Sequence, residues 1–238
     1  MLYLKNFIHI FYAVRQKERI MDISCIAIDL DATLCRFQGG KEGLFSIFVC
    51  PQASENDIRE IYERVKKNQG FSIAKMQRGV EEKIGKKLDT AKVEQKFSEW
   101  LKHSLVLYPD SIPFLARYKA HGHPICIVTF GDTQFQNQKV VALSIPHDKL
   151  FVTEKEDGKP RIIRELLKKY GSAVVFIDDK PSELDRIRDQ GIDESDVITV
   201  QIYREDGPYG GEEPRFEHRK VSSLFDVAPI LLSATTHA

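Results

Sequence analysis

Short apolar runs alternate along the chain with segments in which apolar residues recur every three or four positions. Most of the runs are apolar on both faces, which is typical of strands in a parallel sheet that helices cover on both sides. Five runs stand out, at residues 24–30, 124–130, 148–153, 173–179 and 197–203. The alternation predicts an α/β fold built on a doubly wound parallel sheet.

The segments between the later runs carry the signals of helix ends. In the segment 158–171, Pro160 suits the first turn of a helix and Gly171 suits its end. Pro181 and Gly191 repeat this arrangement in the next segment. We therefore expect a helix in each of these two segments, and a further one before the second strand run, ending at Gly122.

The gap between the first two strand runs is too long for a single crossover, and its pattern is mostly helical. Ser54 and Asp57 have the spacing of a capping box at the start of the first of three amphipathic segments. The pattern predicts a small helical insert over 36–106, carried by an α/β body formed from 22–35 and 107–238.

The first 21 residues form a leader that is apolar and then basic, the reverse of the order in a secretory signal. The leader is also too short and too polar to span a bilayer. Two interpretations remain open. It is either an accessory amphipathic helix that packs on the body, or the product of an upstream start codon, with the compact domain beginning near Met21.

The composition of the chain bears on its binding partners and its cellular compartment. The chain of 238 residues has 35 basic and 35 acidic residues, so no net charge draws it to nucleic acid or to an anionic membrane. Its four cysteines form no Cys-x-x-Cys pair, which favours a reduced, cytoplasmic protein. The sequence leaves the oligomeric state open.

Polar side chains collect where the predicted strands end. In an open parallel sheet, these carboxyl ends meet at one rim, where ligands bind. The candidates are Asp29, Asp31, Thr129, Gly131, Lys159, Asp178 and Asp179. Four carboxylates at one rim would repel one another without a hard cation, and oxygen ligands in small number suit Mg²⁺. A hydroxyl, a lysine and backbone amides are donors that suit a phosphoryl group, so the set predicts metal-assisted phosphoryl transfer.

Four stretches in order resemble the motifs of the haloacid dehalogenase-like (HAD) superfamily: "DLDATL", the run that contains Thr129, "GKP" and "DDKPSE". The resemblance covers about residues 22–230. It implies a Rossmann-like HAD core, and the insert after the first strand resembles the helical cap of that family. Many members are Mg²⁺-dependent phosphatases.

The resemblance also implies roles for individual residues. Asp29 would be the nucleophile that forms an aspartyl phosphate, and Asp31 would be the general acid and then the general base. Dehalogenases of this superfamily lack an acid at the position of Asp31, so phosphate chemistry is favoured over carbon–halogen chemistry. Phe130 departs from the family pattern, which commonly has a small or polar residue there.

The remaining roles concern the phosphoryl group and the metal. Thr129, Gly131 and Lys159 would bind the phosphoryl oxygens, although Lys155 competes with Lys159 for the lysine role. The implied Mg²⁺ ligands are Asp29, the carbonyl oxygen of Asp31, Asp178 and Asp179.

The function expected on these grounds is Mg²⁺-dependent hydrolysis of a small phosphorylated metabolite. A phosphomutase on the same fold and a non-catalytic binding or regulatory protein remain alternatives. Specificity is expected from the insert and from the loop over 35–52, including Phe37, Phe45 and Phe48.

Overall fold

The computed structural model describes residues 23–69, 71–155 and 157–233. The leader predicted at 1–21 lies outside these residues. Six strands form the main sheet: β1 Cys25–Ile28, β4 Ile125–Phe130, β5 Lys149–Thr153, β6 Val174–Asp178, β7 Val197–Ile202 and β8 Arg219–Val221. Five of them fall within the runs predicted from the sequence.

The six strands are parallel throughout, in the order β5-β4-β1-β6-β7-β8. Strand order reverses at β1, because the chain adds β4 and β5 on one side of it and β6, β7 and β8 on the other. The predicted doubly wound α/β sheet is thus confirmed. The switch point lies at the carboxyl end of β1, where a ligand site is expected.

Helices cover both faces of this sheet. They are α5 Ser111–Ala120, α6 Thr133–Ala142, α7 Gly158–Tyr170, α8 Pro181–Asp189 and α9 Val227–Ser233. Alternate residues of β1 point to opposite faces: Ile26 and Ile28 join one hydrophobic cluster with α5, α6 and α9, while Cys25 and Ala27 join another with α7 and α8. Strands this thoroughly buried hold the residues at their ends in fixed positions.

Two short strands, β2 Cys35–Phe37 and β3 Leu105–Leu107, pair antiparallel and frame a helical segment. Its helices are α1 Glu42–Ser46, α2 Glu55–Gln69, α3 Ile73–Ile84 and α4 Thr90–Ser104. They bury a separate hydrophobic cluster that includes Ile58, Met76 and Phe97. The predicted capping box at the start of α2 is present: the amide of Ser54 donates to Asp57, and the amide of Asp57 donates to the Ser54 hydroxyl.

In the part of the chain that the structure describes, we find no helix that combines the length and apolarity needed to cross a bilayer.

Candidate active site

The sheet brings most of the predicted polar residues to one cavity of about 240 Å³ at the carboxyl ends of β1, β4 and β6. Asp29 and Asp31 directly follow β1, Thr129 is near the end of β4, and Asp178 ends β6. The walls of the cavity are Asp29, Asp31, Ala32, Thr129, Phe130, Lys159, Asp178, Asp179, Lys180, Glu183, Pro208 and Tyr209.

Lys159 lies at the centre of the carboxylates. Its Nζ is 2.7 Å from Asp29 Oδ1 and 2.7 Å from Asp178 Oδ2, and all three side chains are buried. Burial alone would lower the pKa of Lys159, but Asp178 and Asp29 raise it above its ordinary value. Lys159 is therefore a permanent cation that joins the first turn of α7 to two strand ends.

Lys155 does not reach this cavity. It is exposed and lies in the loop between β5 and α7, against a different surface depression. The geometry therefore favours Lys159 over Lys155 for contact with a phosphoryl group.

One lysine does not balance the acidic groups. Asp29, Asp178 and Asp179 each offer an oxygen, and these oxygens lie within 4.8 Å of one another. Burial, with Asp178 as the next cause, raises the pKa of Asp179 to about 9. Burial likewise raises the pKa of Asp29 to about 7, against the opposing effect of Lys159. Both shifts disfavour the ionised form of these two carboxylates, and a further cation would oppose them.

The cluster fits a divalent cation. Asp179 Oδ2 is buried and has no hydrogen-bond partner among the described residues, although a buried carboxylate oxygen normally has one. Three buried carboxylates with a vacant oxygen form the hard, anionic ligand set that Mg²⁺ prefers. Asp29, Asp178 and Asp179 would hold the ion.

Asp31 lies on the other side of the cavity and has different partners. Both of its carboxylate oxygens are 2.7 Å from Lys139 Nζ, and Gln136 Nε2 lies 3.3 Å from Oδ2. The Asp31 side chain remains 40% exposed. It is therefore accessible to a substrate while its orientation is held from α6.

Thr129 and Gly131, the predicted phosphate contacts on β4, have different positions. Thr129 is buried and lines the cavity. Gly131 is not among the lining residues, and its N–H donates to the Thr153 carbonyl oxygen at 2.9 Å. The Gly131 amide is thus already engaged with the end of β5, so it is not a free donor for a phosphoryl group.

Aromatic residues near the site also differ from expectation. Phe45 and Phe48 are buried in the hydrophobic cluster of the helical segment, so they do not face the cavity. Phe130 at the end of β4 and Tyr209 from the loop after β7 line it instead. The polar, Gly-rich segment that carries Tyr209 follows β7 and lies at the cavity edge.

The sequence motifs gave no role to three charged residues and one amide that the fold brings to the site, although two of them lie within "DDKPSE": Gln136, Lys139, Lys180 and Glu183. Gln136 and Lys139 are three residues apart on α6, so they share one helix face. A signal was available, because this helix begins three residues after β4 ends and must start at the same rim. Glu183 follows "DDKPS" and has a buried Oε2 without a partner among the described residues.

The family model of the haloacid dehalogenase-like hydrolases matches residues 23–185. This match includes β1, β4, β6 and the charged residues at their ends, which is the arrangement just described. The chain is therefore a member of the haloacid dehalogenase-like hydrolase family. No significant match was found among curated protein sequences.

Solved structures share the fold at low sequence identity. A protein described as a predicted phosphoglycolate phosphatase from Haemophilus somnus 129pt is 18% identical with a TM-score of 0.53, over 88% of this chain and 98% of that one. A HAD phosphatase from Thermococcus onnurineus is 17% identical with a TM-score of 0.54, over 87% and 97%. A defluorinating L-2-haloacid dehalogenase is 16% identical with a TM-score of 0.57, over 88% and 95%.

Proposed function

We propose that this hydrolase is a Mg²⁺-dependent phosphatase that acts on a small phosphorylated metabolite through an aspartyl phosphate on Asp29. The observation that carries the proposal is the charge arrangement around Asp29. One buried lysine and two further buried carboxylates surround it, and the three carboxylates converge on one point.

The first half of the reaction uses Asp29 and Asp31. A carboxylate oxygen of Asp29 attacks phosphorus, and the bond between phosphorus and the leaving oxygen breaks. Asp31 gives its proton to that oxygen, so the product departs as a neutral alcohol. Lys159 and Thr129 line the same cavity, and they would donate to the phosphoryl oxygens that carry the developing charge.

The second half returns the enzyme to its starting state. Asp31, now a carboxylate, takes a proton from water as the water oxygen attacks phosphorus. The bond from phosphorus to Asp29 breaks, and inorganic phosphate leaves with Asp31 protonated again. Atoms and protons therefore balance over the cycle.

A bound Mg²⁺ would supply positive charge that brings two anions, the phosphate and Asp29, together. Residues of this chain do the rest of the positioning. The raised pKa values of Asp29 and Asp179 support the proposal, because they express a need for a further cation.

Asp31 favours phosphatase over dehalogenase chemistry, although solved structures of both kinds share the fold. Cleavage of a carbon–halogen bond releases halide, which needs no proton. A phosphate ester releases an alkoxide, for which an acid is valuable. A carboxylate that is partly exposed at the cavity suits the second reaction.

The cavity supports a small substrate. Its volume of about 240 Å³ is modest, and Phe130 and Tyr209 add apolar surface beside the polar end. We propose that residues 36–106 form the cap over the core of 22–35 and 107–238. A small phosphorylated substrate remains the proposed partner, with no nucleic acid or membrane, and the cytoplasm remains the proposed location.

Phosphate release tests the proposal. The purified protein is incubated with a panel of phosphorylated metabolites and 2-haloacids, with Mg²⁺ or with chelator. We expect Mg²⁺-dependent phosphate release, no halide release, and a loss of at least ~10³-fold in Asp29→Asn. Asp226→Asn, a change in the 3₁₀ turn Leu224–Asp226, is the matched control.

Three results would contradict the proposal. Turnover by Asp29→Asn at the wild-type rate would exclude Asp29 as the nucleophile. Halide release without phosphate release would assign the protein to the dehalogenases. Transfer of the phosphoryl group back to substrate, instead of to labelled water, would identify a phosphomutase.

A further inference from the structure

We propose that Lys139 is the positioning residue for Asp31: it holds the carboxylate where it exchanges protons with the leaving group and with water. This inference rests on the proposed phosphatase function and deepens it. Lys139 does not line the cavity, so it acts through Asp31.

The contact is specific. Lys139 Nζ lies 2.7 Å from both oxygens of Asp31, while Gln136 Nε2 donates to the Phe130 carbonyl oxygen at 2.9 Å and lies 3.3 Å from Asp31 Oδ2. Two side chains on one face of α6 thus hold a single carboxylate. Asp31 otherwise follows a strand end and is 40% exposed, so it would sample several rotamers without them.

Lys139 is a charged side chain that is buried, which is energetically unfavourable without compensating contacts. Its side chain is only 4% exposed, and an ammonium group loses hydration when it is buried. Nζ lies 4.2 Å from the centre of the Phe135 ring and 5.5 Å from that of Phe37. These rings compensate part of the lost hydration.

The backbone at Gly131 makes room for the same arrangement. A Cβ atom at this position would lie 2.5 Å from Gln136 Nε2, and the φ angle is +143°. A larger residue would push Gln136 off Asp31. This explains why the chain has glycine at a position whose amide is already bonded to Thr153.

Alignment of Asp31 matters because its proton transfers require hydrogen-bond geometry. A misplacement of about 1 Å can reduce a rate by ~10²-fold. The loss should grow as the leaving group becomes poorer, since p-nitrophenolate departs without a proton and ethoxide does not.

A double-mutant cycle in the full-length protein tests the proposal. Lys139→Met is measured alone and in Asp31→Asn, with ethyl phosphate and p-nitrophenyl phosphate as substrates and Mg²⁺ present. We expect Lys139→Met to lower kcat by ~10²-fold with ethyl phosphate and by less than ~10-fold with p-nitrophenyl phosphate. In the Asp31→Asn background, Lys139→Met should change the p-nitrophenyl phosphate rate by less than about twofold.

Two variants separate positioning from folding. Lys119→Met removes a lysine from an exposed ion pair with Asp148 and should leave both rates unchanged. Lys139→Arg restores the charge and should recover part of the ethyl phosphate rate. Circular dichroism and the melting temperature show whether each variant folds.

The outcomes distinguish this inference from the proposed function. An equal loss on both substrates, or an equal loss with and without Asp31, would overturn the role of Lys139 and leave the phosphatase standing. A wild-type protein that hydrolyses neither ester, nor any metabolite of the panel, would overturn the proposed function and this inference with it.

Discussion

Two groups of buried carboxylates in this molecule are treated in opposite ways. Asp110, at the start of α5, accepts two hydrogen bonds from Arg204, at 2.8 and 2.9 Å, and further bonds from Ser223 and the Leu224 amide. At the rim of the sheet, Asp29, Asp178 and Asp179 share the single cation of Lys159.

The pKa values of the two groups shift in opposite directions. Burial alone would raise the pKa of Asp110, but Arg204 and the Leu224 amide bring it below its ordinary value. Burial raises the pKa of Asp179 to about 9, and the charges of Asp178 and Asp29 add to this effect while Lys159 opposes it. The chain satisfies a buried acid where it serves structure. Under the proposed function, a cation from solution would supply the positive charge that the rim lacks.

The largest expected effect on stability is at the satisfied cluster. Arg204→Ala would leave Asp110 buried without its cation and should lower the free energy of unfolding by about 3–5 kcal/mol. Denaturant unfolding measures the loss. The matched control is Arg36→Ala, since Arg36 also lies over the Tyr108 ring but pairs with Asp206 at the surface. A loss in Arg204→Ala no larger than in this control would contradict the assignment.

Magnesium should stabilise the protein through the deficient cluster. A ligand at 100 times its Kd adds about 2.7 kcal/mol to the free energy of unfolding. We expect a rise in Tm with Mg²⁺ that chelator reverses, measured by differential scanning calorimetry. Arg204→Ala should still show a Mg²⁺-dependent rise in Tm, because Arg204 bonds to none of the three carboxylates and towards them reaches only the carbonyl oxygen of Thr33, whose hydroxyl donates to Asp179. An unchanged Tm at millimolar Mg²⁺ would contradict the claim that the carboxylates at the rim bind this ion.

Asp179→Asn should have opposite effects with and without metal. Without metal, the substitution removes a repulsive carboxylate and should stabilise the protein by about 1 kcal/mol. With Mg²⁺, the stabilisation seen in the wild type should largely disappear. Tm values of both proteins, with Mg²⁺ and with chelator, provide the measurement. If Asp179→Asn is less stable than the wild type without metal, the three carboxylates do not repel one another, which would contradict this account.

A third group sharpens the comparison through pH. Asp185 accepts hydrogen bonds from the Arg215 and Phe216 amides and from His218 Nε2. Burial lowers the pKa of His218, although Asp185 opposes this effect. The unfolded state then binds more protons than the folded state below about pH 6.5, so stability falls as the pH drops through that range.

His218→Gln should therefore reduce the loss of Tm between pH 7.5 and pH 5.5, the smallest of these four effects. His123, a partly buried histidine at the other end of the sheet, provides the control variant His123→Gln. An unchanged pH dependence in His218→Gln would show that the folded protein does not disfavour the charged imidazole.

The sequence predicted the sheet well because buried strands leave a local signal. The strand runs at 24–30 and 173–179 are apolar on both faces and end in aspartates, so both the strands and the rim follow from local pattern. The strand Arg219–Val221 has three residues and no comparable pattern. This strand forms because it pairs with β7, and the local sequence does not predict such a pairing.

The site was predictable only in part, for the same reason. Asp29 and Asp178 lie at strand ends, whose meeting follows from topology. The contact of Lys139 with Asp31 depends on the direction of α6 across 108 residues of sequence separation. Phe45 and Phe48 were expected near the substrate, but they pack in the hydrophobic core of the helical segment. The sequence alone does not distinguish these positions, because an aromatic residue suits a pocket wall as well as a core.

Trapping of the intermediate tests the central claim most directly. The protein is mixed with Mg²⁺ and a substrate from the panel, quenched in acid and digested, and the peptides are analysed by mass spectrometry. The account predicts one phosphoryl group on Asp29, and no adduct when chelator replaces Mg²⁺. Phosphate release without any adduct on Asp29, or an adduct on another residue that turns over at the rate of catalysis, would contradict it.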